Sequence, residues 1–299
     1  MSTVFEQVFI LFVFALIGYV LAKSGIADRS CSKLLSVLAV YVFLPCTVFK
    51  TFSTNFTIEY ISTRYYFLLI SLCVLAAVFT TSVFVSKLLS QNGYERSVYR
   101  YSLIVPNFGY MGYALAEALY GSGALLNMIV FALPVTMFTY TVGFCTLTKT
   151  SFSPKRLLQP MIIAIFLGCI SGLLSVPMPE VINQVLSKGS SCMGPCTMLL
   201  AGITISEFSI KSLLVDKRTY FVVLMRLLII PCTVGFVSSL FCPKEVVMSS
   251  LLIYAMPCGL NTIVFPKLVG ENCSIGASLA CVSTVLSCIT IPICLTLFL

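Results

Sequence analysis

Residues 101–121 read YSLIVPNFGYMGYALAEALYG, and residues 249–270 read SSLLIYAMPCGLNTIVFPKLVG. Both stretches are apolar enough to lie in a membrane. Each is interrupted near its centre, the first at Pro106, Gly109 and Gly112 and the second at Pro257 and Gly259. Proline removes a backbone donor and clashes with the preceding turn, so such a cluster unwinds a helix. Unwound backbone at membrane depth is tolerated only where it lines a protein-buried or wet cavity. A break also makes a new helix N-terminus, with free N–H groups and partial positive charge. Two such ends meeting near the midplane favour a carboxylate. Interrupted segments at matching positions of two halves are the pattern of a solute site in a transporter.

The residues inside the breaks are the candidates for that site. Asn107 and Asn261 each offer an amide that donates to a carboxylate without the cost of a buried formal charge. The plainer reading has each asparagine satisfy a freed backbone group. Gly109, Gly112 and Gly259 let backbone approach a solute, and Cys258 and Thr262 add weaker polar atoms. Pro106 and Pro257 make the breaks. Pro45, Pro134, Pro195 and Pro292 read as packing kinks.

Composition supports a membrane setting for the whole chain. Of 299 residues, 59% are hydrophobic and 9% charged, and the mean hydropathy is +1.06. Soluble domains carry about 25% charged residues, so lipid must be the main solvent here. A β-barrel would show alternating segments of about 10 residues, whereas runs such as FILFVFALIGYVLA at 9–22 do not alternate. The N-terminal MSTVFEQ lacks the basic residues of a cleavable leader, so the first apolar run is expected to be a retained span. Spans of roughly 20 residues are expected at 4–22, 33–51, 64–89, 97–120, 124–148, 157–176, 190–209, 218–241, 246–268 and 274–298.

Basic residues between spans fall unevenly. One set of alternate loops holds thirteen Lys and Arg, from Lys23, Arg29 and Lys33 through Lys155 and Arg156 to Lys267. The other holds four: Lys50, Arg64, Lys188 and Lys244. Basic loops stay cytoplasmic, so both termini are expected outside a plasma membrane. The chain also repeats itself. Pro-Cys-Thr at 45–47 returns at 195–197, Gly18 matches Gly168 at the same offset of 150, and Pro106/Pro257 and Gly121/Gly270 lie 151 and 149 apart. The expected organisation is one membrane domain of two halves, 1–150 and 151–299. An odd number of spans per half inserts the second half upside down, a common plan of secondary transporters.

Other chemistry is sparse. Arg226 has three readings: a counter-charge for an anion, an ion-pair partner, or a side chain snorkelling to the cytoplasmic surface. Glu117 lies about 25 Å past Arg100 along a straight helix; it is either solvated near the outer surface or, if buried, a proton or cation site. Fourteen cysteines lie mostly in apolar runs and read as small hydrophobes. With no histidine and no CxxC pair, no metal, cofactor or catalytic residue is expected, nor a nucleic-acid partner.

At the two broken spans the chain resembles the auxin efflux carrier family. The features that carry the resemblance are VPNFGYMG at 105–112 and MPCGLN at 256–261. FLPCTVFK at 43–50, AGITIS at 201–206, RLLIIP at 226–231 and STVLSCITIPICL at 283–295 support it. The resemblance implies an all-α fold of ten spans, like that of the bile acid symporters, with crossing breaks in spans four and nine. It implies a transport part (spans three to five and eight to ten) moving against a scaffold of spans one, two, six and seven, which also forms a homodimer. The implied substrates are organic acid anions, auxin-like or malate-like. Asn107 then matches the carboxylate-site asparagine of the plant carriers, and Asn261 one common in bacterial members. Tyr113-Ala114 departs from the pattern, because the family shows a second proline there. A softer break and a cavity narrowed by Tyr113 are therefore expected. The long hydrophilic central loop of many plant members is missing, as in the short bacterial type.

The leading expectation is a secondary carrier or facilitator of a small organic anion working by alternating access, with coupling to H⁺, to Na⁺ or to neither left open. The alternatives are a Na⁺-coupled solute symporter of related crossover fold and a non-transporting membrane sensor. An enzyme is not expected.

Overall fold

A computed structural model describes residues 2–151, 153, 158–214 and 216–299. Lys155 and Arg156 of the basic central loop lie outside the described residues. The architecture is all-helical. In chain order the main helices are α1 (Ser2–Lys23), α2 (Ser30–Asn55), α3 (Tyr66–Leu89), α4 (Gly93–Ile104) and α5 (Phe108–Thr148). Then follow α6 (Pro160–Leu173), α7 (Glu180–Ser206), α8 (Lys217–Phe241), α9 (Lys244–Tyr254), α10 (Asn261–Leu268) and α11 (Ser274–Phe298). Short helices at Ile58–Arg64 and Ile210–Leu213 bridge α2 to α3 and α7 to α8. Among the described residues six helices are long and apolar enough to cross a membrane: α1, α2, α3, α5, α8 and α11. Each expected span coincides with helix, but the fourth and ninth are helix pairs.

Local chemistry explains the ends. Asp28 opens α2, its carboxylate accepting from the Ser30 N–H at 2.9 Å and the Cys31 N–H at 3.2 Å. The Ser30 hydroxyl, foremost, and these N–H groups hold the Asp28 carboxyl below its ordinary range. Asn92 caps α4 and Asp216 caps α8 in the same manner. α5 is sharply divided at Gly121, whose φ of 79° and ψ of −176° suit only glycine. An arm of residues 108–120 therefore folds against a long arm of 122–148. Gly270, after α10, also has a positive φ of 73°.

Helix limits recur at an offset near 150. α1 ends at Lys23 and α6 at Leu173; α4 ends at Ile104 and α9 at Tyr254. Close approaches recur too. A Cβ on Gly18 would lie 2.3 Å from the Leu199 carbonyl oxygen, and one on Gly168 would lie 2.7 Å from the Phe52 Cβ. Lipid gives helices no hydrophobic reason to associate, so small residues that admit close packing carry these contacts. α1 runs along α7, α2 along α6, and α7 also meets α2. Separately, α3 packs on α4 and α5, and α9 packs on α5 and α8. The outer surface is apolar: Phe84, Phe166, Phe236 and Ile289 are all exposed, as a lipid-facing surface requires.

Prolines inside the helices are absorbed by local rearrangement. α2 and α8 each contain a π-helical turn, Ala39–Phe43 and Met225–Ile229, shortly before Pro45 and Pro231. Pro231 leaves the Leu227 carbonyl without its usual donor, and the Cys294 thiol approaches that carbonyl at 3.6 Å instead. This is a structural use for one of the cysteines.

Candidate functional site

The two breaks cross and pair. Beyond Ile104 the chain runs extended, with Val105 at φ −104° and ψ 104°. The Asn107 N–H donates to the Pro257 carbonyl at 2.8 Å, and the Gly259 N–H donates to the Val105 carbonyl at 3.2 Å. The result is a short antiparallel bridge centred on Pro106 and Cys258. Neither proline is asked to donate, and the Cys258 N–H reaches the Ser283 hydroxyl at 3.0 Å. These unwound donors are therefore satisfied inside the protein, as backbone away from water demands. Ala114 does not soften the break. Its Cβ would lie 2.9 Å from one built on Gly194 of α7, which is a packing role.

Four helix ends meet here, and they form two poles. α4 and α9 bring their C-termini together, and Arg226 of α8 lies between them. Its guanidinium donates to the carbonyls of Leu103 (3.1 Å), Met256 (3.2 Å) and Ile253 (3.4 Å), and sits 5.7 Å from the Tyr254 ring centroid. Arg226 is 0% exposed. It therefore neither snorkels nor forms an ion pair: among the described residues no carboxylate lies within 4.0 Å of it.

At the opposite pole the N-termini of α5 and α10 face a small cavity of about 40 Å³. Neither end has a side-chain cap. The lining comprises Pro106, Asn107, Phe108, Gly109 and Tyr110, then Gly259, Leu260 and Asn261, with Thr136, Thr139 and Tyr140 of the long arm of α5, Leu44 of α2 and Met161 of α6. None of these side chains is charged. Asn107 is 4% exposed. The Thr136 hydroxyl is buried without a hydrogen-bond partner, as is that of Tyr101, which lies beside Asn261 and Thr139. A second cavity of about 220 Å³ shares Tyr110, Tyr140 and Asn261 and continues past Phe265 and Ser36 to Gln159 and Leu268, at helix ends next to the basic loops.

The structure thus gathers Pro106, Asn107, Gly109, Gly259 and Asn261 around one cavity. Gly112 packs instead on Met128 and Met256, and a Cβ there would lie 2.6 Å from the Met128 methyl. Cys258 is fully buried in the bridge. The Thr262 hydroxyl turns back to the Gly259 carbonyl at 2.9 Å. Pro257 contributes its carbonyl to the bridge. Tyr113 packs against Phe108, with ring centroids 5.7 Å apart, and does not line the cavity. Glu117 lies elsewhere, held by the Ser190 hydroxyl at 2.8 Å and by Lys50 at 3.4 Å, beside a separate cavity lined by Gln7 and Pro195. It is half-buried and paired rather than freely solvated. Sequence reasoning missed Thr136, Thr139 and Tyr140. Their signal was a polar stripe at i, i+3 and i+4 just after Pro134, within an otherwise apolar helix.

Comparison with known families gives one match. The family described as "Membrane transport protein" matches residues 3–154 and 144–295, nearly the whole chain. No curated protein matches the chain significantly.

Proposed function

The chain belongs to the membrane transport protein family, and from that premise we propose that it is a secondary carrier or facilitator for a small organic anion, working by alternating access. The observation that carries this reading is the convergence of two uncapped helix N-termini, with the buried amide of Asn107, on an uncharged cavity. Each N-terminus is equivalent to roughly +0.5 charge, so the pair offers about +1. That matches one carboxylate. A second carboxylate would enter a lining with no cation to meet it.

The same argument selects among substrates. The aromatic rings of Phe108, Tyr110, Tyr140 and, in the adjoining cavity, Phe265 suit an apolar or aromatic body. We therefore favour an auxin-like monocarboxylate over a malate-like dicarboxylate. The recurring helix limits and the paired Gly18 and Gly168 contacts support a ten-span plan of two inverted five-span halves, with α4 plus the short arm of α5, and α9 plus α10, as the broken spans. The grouping of α1, α2, α6 and α7 supports a scaffold, through which two copies would pair, against which the remaining helices move. The loop charges support a plasma-membrane orientation with both termini outside. The cavity that continues from Asn261 toward the basic loops would then be the cytoplasmic approach.

The test is a thermal-shift screen of purified protein against mono- and dicarboxylates, followed by uptake into proteoliposomes. Aromatic monocarboxylates are expected to stabilise and to be carried. Stabilisation by malate alone, or normal uptake by Asn107→Ala, would sink the assignment.

A further inference from the structure

Resting on that carrier reading, the opposite pole carries an inference about coupling. α4 and α9 end against each other, and each C-terminus is equivalent to roughly −0.5 charge. Together they present about −1 in the protein interior. Half-helix C-termini and unwound carbonyls are where crossover transporters coordinate Na⁺ or H⁺. In this chain that place is filled. Among the described residues the Arg226 guanidinium forms no ion pair, yet it donates to the carbonyls of Leu103 at the end of α4, Ile253 in the last turn of α9 and Met256 in the unwound segment beyond it. Arg226 lies in the π-helical turn Met225–Ile229, on the buried face of α8 with Val222, Val223, Leu227 and Ile230. The groups facing the guanidinium are three carbonyls, the Tyr254 ring and the buried Cys258 thiol, with no carboxylate within 4.0 Å among the described residues.

We propose that Arg226 is a tethered cation occupying the coupling-ion position, so that this carrier moves its anion without Na⁺. The charge that another crossover carrier would borrow from solution is here built into α8. It balances the C-terminal pole permanently and leaves the N-terminal pole to be balanced by substrate. The loaded crossing is then close to neutral, and the empty crossing retains about one positive charge. Net transport therefore moves one negative charge per monocarboxylate and responds to membrane potential, whereas exchange of one carboxylate for another does not.

The experiment uses the full chain in proteoliposomes with labelled phenylacetate, and the purified protein in detergent. Wild-type uptake is expected to stay within about twofold when choline replaces Na⁺, and to rise under an inside-positive potential as one charge per phenylacetate. Arg226→Ala is expected to lose uptake and melt earlier. About 20 mM guanidinium, or Na⁺ at higher concentration, should restore several degrees of that loss in the variant but not shift the wild type, by occupying the emptied position. Arg226→Lys should retain Na⁺-independent uptake at a reduced rate, since it keeps the charge and loses the fork. Saturable Na⁺ dependence of the wild type would overturn the proposal. So would Arg226→Ala that is as stable and active as wild type and indifferent to guanidinium. If Arg226→Ala does not fold, the wild-type and Arg226→Lys arms still decide. If phenylacetate is not carried at all, the carrier reading fails for this substrate class, while guanidinium rescue of thermal stability still decides the role of Arg226.

Discussion

The two poles of the crossing are built from the same element, a helix end, yet they are completed in opposite ways. At the C-terminal pole the protein supplies the balancing charge itself, through Arg226 and three carbonyls. At the N-terminal pole it supplies only an amide, hydroxyls and aromatic rings. Several peripheral helix starts sharpen the contrast, because Asp28, Asn92 and Asp216 cap α2, α4 and α8 from within the chain. The difference teaches where a solute is wanted. A half-helix end completed by the protein is structure, and one left incomplete beside a cavity leaves room for a solute.

The largest expected effect breaks the completed pole. Arg226→Met leaves the buried carbonyls of Leu103 and Met256 without this donor, at about 1–3 kcal/mol each, whereas that of Ile253 keeps the Met256 N–H at 3.3 Å. A loss of about 2 kcal/mol or more should appear in thermal or denaturant unfolding in detergent. A variant as stable as wild type would show that these contacts contribute little. Next comes the open pole. Asn107→Ala removes a hydrogen bond to a charged ligand, about 1.5–3 kcal/mol. Carboxylate binding should weaken by about 10- to 100-fold while unfolding stays near wild type; isothermal titration and a melt on the same sample separate the two. The contrast with Arg226→Met is the point: one variant loses fold stability, the other loses ligand.

A smaller effect tests how alike the two half-helices of the open pole are. Gly121 and Gly270 set the turns that follow them, with φ of 79° and 73°. Both have open space where a Cβ would go, so any cost of alanine is conformational. Gly121→Ala and Gly270→Ala should each cost about 1–3 kcal/mol. Equal costs support matching halves, and a large disparity argues against them.

The smallest effect concerns a capped end. The Asp28 carboxyl titrates below its unfolded value, so its contribution is fully present above about pH 4. That contribution is lost as pH falls through the folded value. Asp28→Ala should therefore melt slightly below wild type at pH 7, and the gap should narrow as pH falls below about 4. A gap that persists in acid would mean that the carboxylate is not what caps α2.

Much of this was legible before any coordinates. Pro106, Pro257 and the nearby glycines mark the breaks by local chemistry, because proline cannot continue a helix in any context. Asn107 and Asn261 were found because they sit inside those breaks. Thr262 and Gly112 show the limit of that reasoning. They are as close in sequence to the breaks, but once the helix resumes, its period turns them onto packing faces. Thr136, Thr139 and Tyr140 were missed because they reach the cavity from a different arm of α5, which Gly121 folds back. Ala114 invited a prediction of a softer break, yet Pro106 and the bridge to Pro257 suffice.

Lipid as solvent, the apolar lengths, the places where helices must stop and the near-150 recurrence all follow from residue types alone, since each is a property of a short stretch of chain. Which helix ends share a pole, and that Arg226 completes one while Asn107 opens the other, was decided by packing. Helix ends far apart in sequence carry partial charges of the same sign. Only the tertiary structure brings like ends together, and only then does each pole need a counter-charge from the protein or from a solute.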